Sequence, residues 1–180
     1  MPKEVNRNRF VLVLLNEEQY ISHLHKIVQS VEKRKNKICY VCLSRPYKDI
    51  LSDLKKNNID INLFFFVDTL SSYYERPKIT TNCIFLESPA NLGSIKKAVE
   101  KAIEKEKCNI LLIDTISALL VYEGNFSILK FTNSLATEEK EKKVEKFFIA
   151  LKKNNIPEKE NKELLKDLKM FADKTVELSD

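Results

Sequence analysis

The sequence predicts an α/β fold, a mostly parallel sheet held between two helical layers, and three observations predict it. Short apolar runs alternate along the chain with segments of helical periodicity, the order expected of a parallel sheet with helices on both faces. The runs are apolar almost throughout, as strands buried on both faces must be. Several of them stop at a small or acidic polar residue, which a parallel sheet presents at its carboxyl edge.

Residues 9–15 read as the first strand. Asn16 is placed to cap the next helix, with Gln19 at the reciprocal capping position. Tyr20, Leu24, Ile27, Val28 and Val31 recur at helical spacing as the buried stripe of that helix. A second strand, 37–43, is stopped by Ser44-Arg45-Pro46. Pro46 suits the first turn of a helix whose apolar positions are Ile50, Leu51 and Leu54, closed by Asn57 and Asn58. The third strand, 63–67, ends at Asp68. Residues 70–81 include Tyr73, Tyr74 and Pro77, lack periodicity, and read as a loop. A fourth strand covers 83–86. Ser88-Pro89-Ala90-Asn91 then leads into a helix running to about Lys105 on the stripe Ile95, Val99, Ala102 and Ile103. The fifth strand ends at Asp114. Gly124 and Asn125 open a long helix carrying Phe126, Leu129, Phe131 and Leu135, polar and charged toward its end. A sixth strand is expected at 147–151, a polar loop at 152–160, a helix at 161–172 and a short edge strand at 175–178. No repeat or linker interrupts this order, so residues 1–180 are expected to form one domain.

Composition sets the class. Hydrophobic residues make up 43% and charged residues 32% of the 180-residue chain, enough apolar surface for a core and too much for a disordered segment. The net charge is +5, but lysines alternate with glutamates, as in Glu138-Glu-Lys-Glu-Lys-Lys143, the pattern of a solvated helix face. The densest basic patch, Lys33-Arg-Lys-Asn-Lys37, has no aromatic residue within it, and nucleic-acid binding is not expected. No apolar run approaches the roughly 18–20 residues of a membrane span, and 10–15 is too short for a secretory core, so a cytoplasmic protein is expected.

Cys39 and Cys42 match C-x-x-C, yet they lie inside an apolar strand, where residues three apart face opposite ways. Together with Cys83 and Cys108 they are expected to be buried, inert thiols. His23 and His25 diverge on a helix. No metal site is expected, unless Asp114 holds Mg²⁺.

The polar residues that end strands (Asn16, Ser44, Asp68, Ser88 and Asp114) mark the edge where a ligand would bind. The turn after the first strand argues against the usual phosphate chemistry. A phosphate cradle needs glycine-bounded backbone amides and a lysine at a helix N-terminus. Asn16-Glu17-Glu18-Gln19-Tyr20 offers neither glycine nor lysine. Glu17 and Glu18 suit the positive end of the helix dipole but put negative charge where an anion would sit.

The order of elements resembles that of the RecA/KaiC-like ATPases, the archaeal KaiC-like proteins in particular. The phrases that carry the resemblance are Ile38-Cys-Tyr-Val-Cys-Leu-Ser44, Phe65-Phe-Val-Asp68-Thr69, Ile84-Phe-Leu-Glu-Ser88-Pro89 with Asn91-Leu92, Leu111-Leu-Ile-Asp114-Thr115, and Phe171-Ala-Asp173-Lys174. The resemblance implies a RecA-like architecture with Asp114 as the Mg²⁺-associated carboxylate beside the phosphates of a nucleotide. Thr115, beside Asp114, and the strand-end residues Asn16 and Ser44 are the other candidates for a nucleotide-binding role. The family's second strand commonly ends in a glutamate that orients water, and Ser44 stands there instead. The phosphate loop Gly-x-x-x-x-Gly-Lys-Ser/Thr is absent as well.

With two independent parts missing, the expectation is a non-catalytic domain with no catalytic residue and no required cofactor. Such a domain would be regulatory or scaffolding, acting through a protein partner or as a homo-oligomer. Tyr73-Tyr74 and the helix at 126–135 are its candidate contact surfaces. One alternative is a divergent nucleotide-binding protein or ATPase that uses Asp114 and binds ATP and Mg²⁺ weakly. The other is a receiver-like phosphorylation module, with Glu17 and Glu18 as the acidic pair beside Asp68.

Overall fold

The apolar runs form the strands Phe10–Leu15 (β1), Ile38–Cys42 (β2), Phe64–Asp68 (β3), Cys83–Phe85 (β4), Ile110–Asp114 (β5) and Glu145–Leu151 (β6), and the polar segment Lys174–Glu177 adds an edge strand (β7). The computed structural model describes residues 10–33, 36–137, 143–152 and 157–178. In it the strands join one sheet in the order β4-β3-β2-β5-β6-β1-β7, and every pairing is parallel. The helices are Tyr20–Glu32 (α1), Tyr47–Lys56 (α2), Ser71–Tyr74 (α3), Leu92–Glu104 (α4), Asn125–Thr137 (α5) and Glu158–Phe171 (α6).

Two cores, one on each side of the sheet, explain why the strands are apolar without alternation. Val11, Val13, Tyr40, Cys42, Phe66 and Leu112 pack against Leu24, Ile27, Val28 and Val31 of α1 and Ile50 and Leu54 of α2. The intervening residues Leu12, Leu14, Cys39, Val41, Phe65 and Leu111 pack against α4, α5 and α6 through Ile95, Val99, Ile128, Phe131, Leu164 and Leu168. A residue exposed on either face would open a hole in one core. The helices divide between the layers by direction of travel. Connections that run toward β4 carry α1 and α2, and those that run toward β7 carry α4, α5 and α6. Right-handed crossovers place helices on opposite faces when the direction reverses. The neighbours β2 and β5 send the chain opposite ways, so the crevice above their carboxyl ends is a topological switch point.

Every expected strand and long helix is present, with ends shifted by a few residues. Three local expectations are corrected. Asn16 makes no side-chain cap; Glu17–Gln19 is a 3-10 turn in which the Asn16 carbonyl accepts from Gln19 N at 3.2 Å. The expected loop at 70–81 contains α3, a single turn anchored by Asp68, which is too short to show a period. The last helix begins at Glu158, before 161, because Pro157 with Glu158 and Glu160 makes a favourable first turn. Positions 34–35 of the basic patch, 138–142 of the mixed-charge run and 153–156 of the expected polar loop lie outside the described residues.

The C-x-x-C expectation holds in geometry: Cys39 faces one core and Cys42 the other. All four cysteines are buried and none is in a disulfide. Burial pushes the Cys42 and Cys83 thiols up, and Cys108 up to about 12. Because the thiolate is the nucleophile, the native protein at pH 8 is expected to resist iodoacetamide and to take up four labels only after denaturation. Rapid labelling of the native chain, read by mass spectrometry, would contradict this packing.

Candidate functional site

Asp114 ends β5 in register with Cys42 at the end of β2. By strand alternation its side chain shares the α1/α2 face with Tyr40, which lies one pleat back on β2. Tyr20, the first residue of α1, arrives from the β1 side. The hydroxyl of Tyr20 donates to Asp114 Oδ1 and that of Tyr40 donates to Oδ2. Ser44 Oγ lies 3.3 Å from the Tyr20 hydroxyl and donates to Asp114 Oδ1 at 3.4 Å and to its carbonyl at 3.2 Å. Leu43 N and Ser44 N also donate to that carbonyl, at 2.8 and 3.2 Å, tying the ends of β2 and β5 together. The Asp114–Thr115 peptide bond is cis.

Asp114 is fully buried. Desolvation raises its pKa, while the donors Tyr20 and Tyr40, the charge of Arg45 and the Ser44 hydroxyl pull it down; desolvation wins. Burial, and next the charge of Asp114, push both tyrosines well above 10.0, so both remain protonated donors at neutral pH. Arg45 is held on Asp53 by a half-buried contact of 2.6 Å, Nη2 to Oδ2.

This donor set does not suit Mg²⁺, which demands about six oxygens and usually keeps several waters. Both Asp114 oxygens already accept phenol protons in a dry setting. Among the described residues, no group of three or more His, Cys, Asp or Glu is arranged to hold a metal ion.

No family model matches the chain, and no curated protein matches it. Solved structures do match. The crystal structure of a KaiC-like protein from the hyperthermophilic archaeon Pyrococcus horikoshii OT3 superposes with a TM-score of 0.62 at 11% identity, over 96% of this chain and 73% of that one. A second Pyrococcus horikoshii OT3 protein gives 0.63 at 14% identity, over 97% of this chain and 83% of that one. The chain has a RecA-like fold. At such low identity the likeness is one of fold alone, and it is the likeness that the strand-end phrases imply.

Within the RecA-like sheet, the residues singled out from sequence separate. Asp114 and Ser44 come together. Thr115 is buried behind them, its hydroxyl without a partner. Asn16 does not join them: β6 lies between β1 and β5, which sets the two strand ends about 10 Å apart. Ser88 closes its own turn by accepting from Ala90 N at 3.1 Å. Asp68 is a structural staple. Its Oδ1 accepts from Leu70 N and Ser71 N at 2.7 and 2.8 Å, and its Oδ2 accepts from Tyr47 N and Ser71 Oγ at 2.5 and 2.6 Å.

The receiver-like alternative falls on topology. Three strands separate β1 from β3, so Glu17 and Glu18 lie about 19 Å from Asp68 across the sheet. Of the apolar residues in the helix singled out as a contact surface, Phe131 and Leu135 pack into the core, whereas Phe126 at its start is exposed.

Sequence periodicity puts Tyr20 on a helix stripe and Tyr40 inside a strand, and marks neither as a site residue. A signal existed for Tyr40, because a tyrosine buried in mid-strand must find a partner for its hydroxyl. Nothing local pointed to Tyr20. Among the described residues, no helix is long and apolar enough to cross a membrane.

Proposed function

We propose that the chain is a non-catalytic RecA/KaiC-like domain, a pseudo-ATPase that acts as a regulatory or scaffolding protein in the cytoplasm. One observation carries this reading: Tyr20 and Tyr40 occupy both oxygens of Asp114. Tyr20 starts the helix where nucleotide hydrolases of this architecture set a phosphate-binding lysine, and it spends its hydroxyl on the carboxylate that would help hold Mg²⁺. A nucleotide–Mg²⁺ complex would have to break both hydrogen bonds and rehydrate a buried acid before gaining any contact of its own. The exclusion comes from phenols plugging the crevice more than from the charge of Glu17 and Glu18, which are exposed.

Protein contact is the remaining role for such a scaffold. Tyr73, Tyr74 and Phe126, with 77%, 76% and 80% of their surfaces exposed, supply the side chains for a homo-oligomer or a partner subunit. Titration with labelled ATP and Mg²⁺ is expected to give no saturable binding at sub-millimolar nucleotide and no release of phosphate. Saturable binding that Asp114→Asn abolishes would overturn this reading in favour of a divergent nucleotide-binding protein.

A further inference from the structure

A separate concavity of about 390 Å³ opens at the same edge of the sheet, beside β3 and β4 and away from Asp114. Its size falls within the range that encloses a small organic ligand. Tyr47 and Phe85 form the apolar wall, their rings edge-on with centroids 5.8 Å apart. Lys48, Arg76 and Lys78 line it from the rim, against the single carboxylate of Glu75. None of the three cations has a carboxylate within ion-pair distance among the described residues, so their charge is not committed elsewhere.

The walls are held in place before any ligand arrives. Asp68 fixes Tyr47 N and Ser71 from beneath. The Tyr47 hydroxyl donates to Asn82 Oδ1 at 3.1 Å, and Phe66 braces its ring edge-on at 4.9 Å. Thr80 Oγ1 also lines the site. It is shielded from solvent, with no partner in hydrogen-bonding geometry. A preformed wall saves the ordering entropy that a flexible one would lose on binding.

We propose that this concavity binds a small phosphate monoester carrying a planar ring. The lining side chains, three cations and one carboxylate, sum to +2 before the buried Asp68 beneath them is counted, a positive balance that suits the charge of about −1.5 to −2 on a phosphate monoester. The planar guanidinium of Arg76 can grip two phosphate oxygens at once. The ring lies along Tyr47 and Phe85. This site needs neither Asp114 nor Tyr20, so it stands apart from the reading of the closed crevice.

The test is a titration of the full chain at low salt with phenyl phosphate, AMP and inorganic phosphate, followed by amide NMR shifts and calorimetry. At least one of the two ring-bearing esters is expected to saturate with a Kd below about 1 mM. Shifts should centre on Tyr47, Ser71, Thr80 and Phe85. Inorganic phosphate should bind at least about fivefold more weakly, for want of the ring contact. Arg76→Gln with Lys78→Gln should weaken the ester by about tenfold or more. Both side chains are exposed, so the fold should survive, and each single variant gives a second reading at smaller effect. Four results would overturn the proposal: neither ester saturating by about 10 mM, undiminished binding by the double variant, shifts centred on Tyr20 and Ser44, or a single-stranded oligonucleotide that outcompetes the esters at the same residues. The third of these would also reopen the crevice at Asp114, whereas the other three leave that reading intact.

Discussion

Asp68→Ala is expected to destabilise the folded chain by about 3 kcal/mol, among the largest effects available to one strand-end residue. Asp68 is fully buried at the end of β3, and its two oxygens accept four protons. Two of these come from Leu70 N and Ser71 N at the start of α3, and one from Tyr47 N at the start of α2. Without the carboxylate, amides at two helix starts lose their acceptor in a place that water reaches poorly. Each lost cap is worth about 1 kcal/mol and each buried unpaired donor about 1–3 kcal/mol, with overlap between the two counts. Asp68→Asn should recover little, since its amide nitrogen would face donors. Urea denaturation measures the difference; a change within about 0.5 kcal/mol would show that neither helix start depends on Asp68.

Tyr40→Phe is expected to lower stability by about 2 kcal/mol, because it leaves one oxygen of a fully buried carboxylate without its donor. The same substitution in an Asp114→Asn background should be milder, since no charge then lacks a partner. The cycle of four proteins isolates the coupling.

The pH dependence of Asp114→Asn follows from the direction of the Asp114 shift. Its folded pKa is raised above the ordinary 3.8, so the native state holds the proton more tightly than the unfolded chain. The stabilisation that this proton confers is fully present below about pH 3.8 and is lost as pH rises through the raised folded value. Asparagine imitates the protonated acid and has no such loss. Asp114→Asn should therefore gain on the native sequence as pH rises through that window and hold its advantage above it. Tyr40→Phe removes a donor that favoured the ionised form, so it should extend the window upward. Melting temperatures from about pH 4 to about pH 8 provide the test. A difference between Asp114→Asn and the native sequence that is flat with pH, or that shrinks as pH rises, would mean that Asp114 is not desolvated as its burial implies.

The sequence by itself determined the layered architecture, because burial on both faces leaves a local mark. A strand such as Ile110–Asp114 must be apolar at every interior position, and a helix such as α4 must repeat Ile95, Val99, Ala102 and Ile103 at its own period. Neither pattern depends on knowing the neighbours. The sequence also disclosed what was missing, since a phosphate loop is a contiguous string and its absence can be read directly. α3 escaped notice because four residues anchored by Asp68 carry no period.

Only the tertiary structure decided what became of Asp114. Tyr20 is 94 residues away and Tyr40 is 74, and their meeting depends on the order β2-β5-β6-β1, on β2 and β5 pairing in register, and on which face of β5 carries the carboxylate. The pocket at Tyr47 and Phe85 likewise forms only because β4 pairs with β3 and Asp68 ties α2 and α3 to that edge. Periodicity records how a segment is buried, whereas a site is made where distant segments converge, and that convergence is a property of strand order and register.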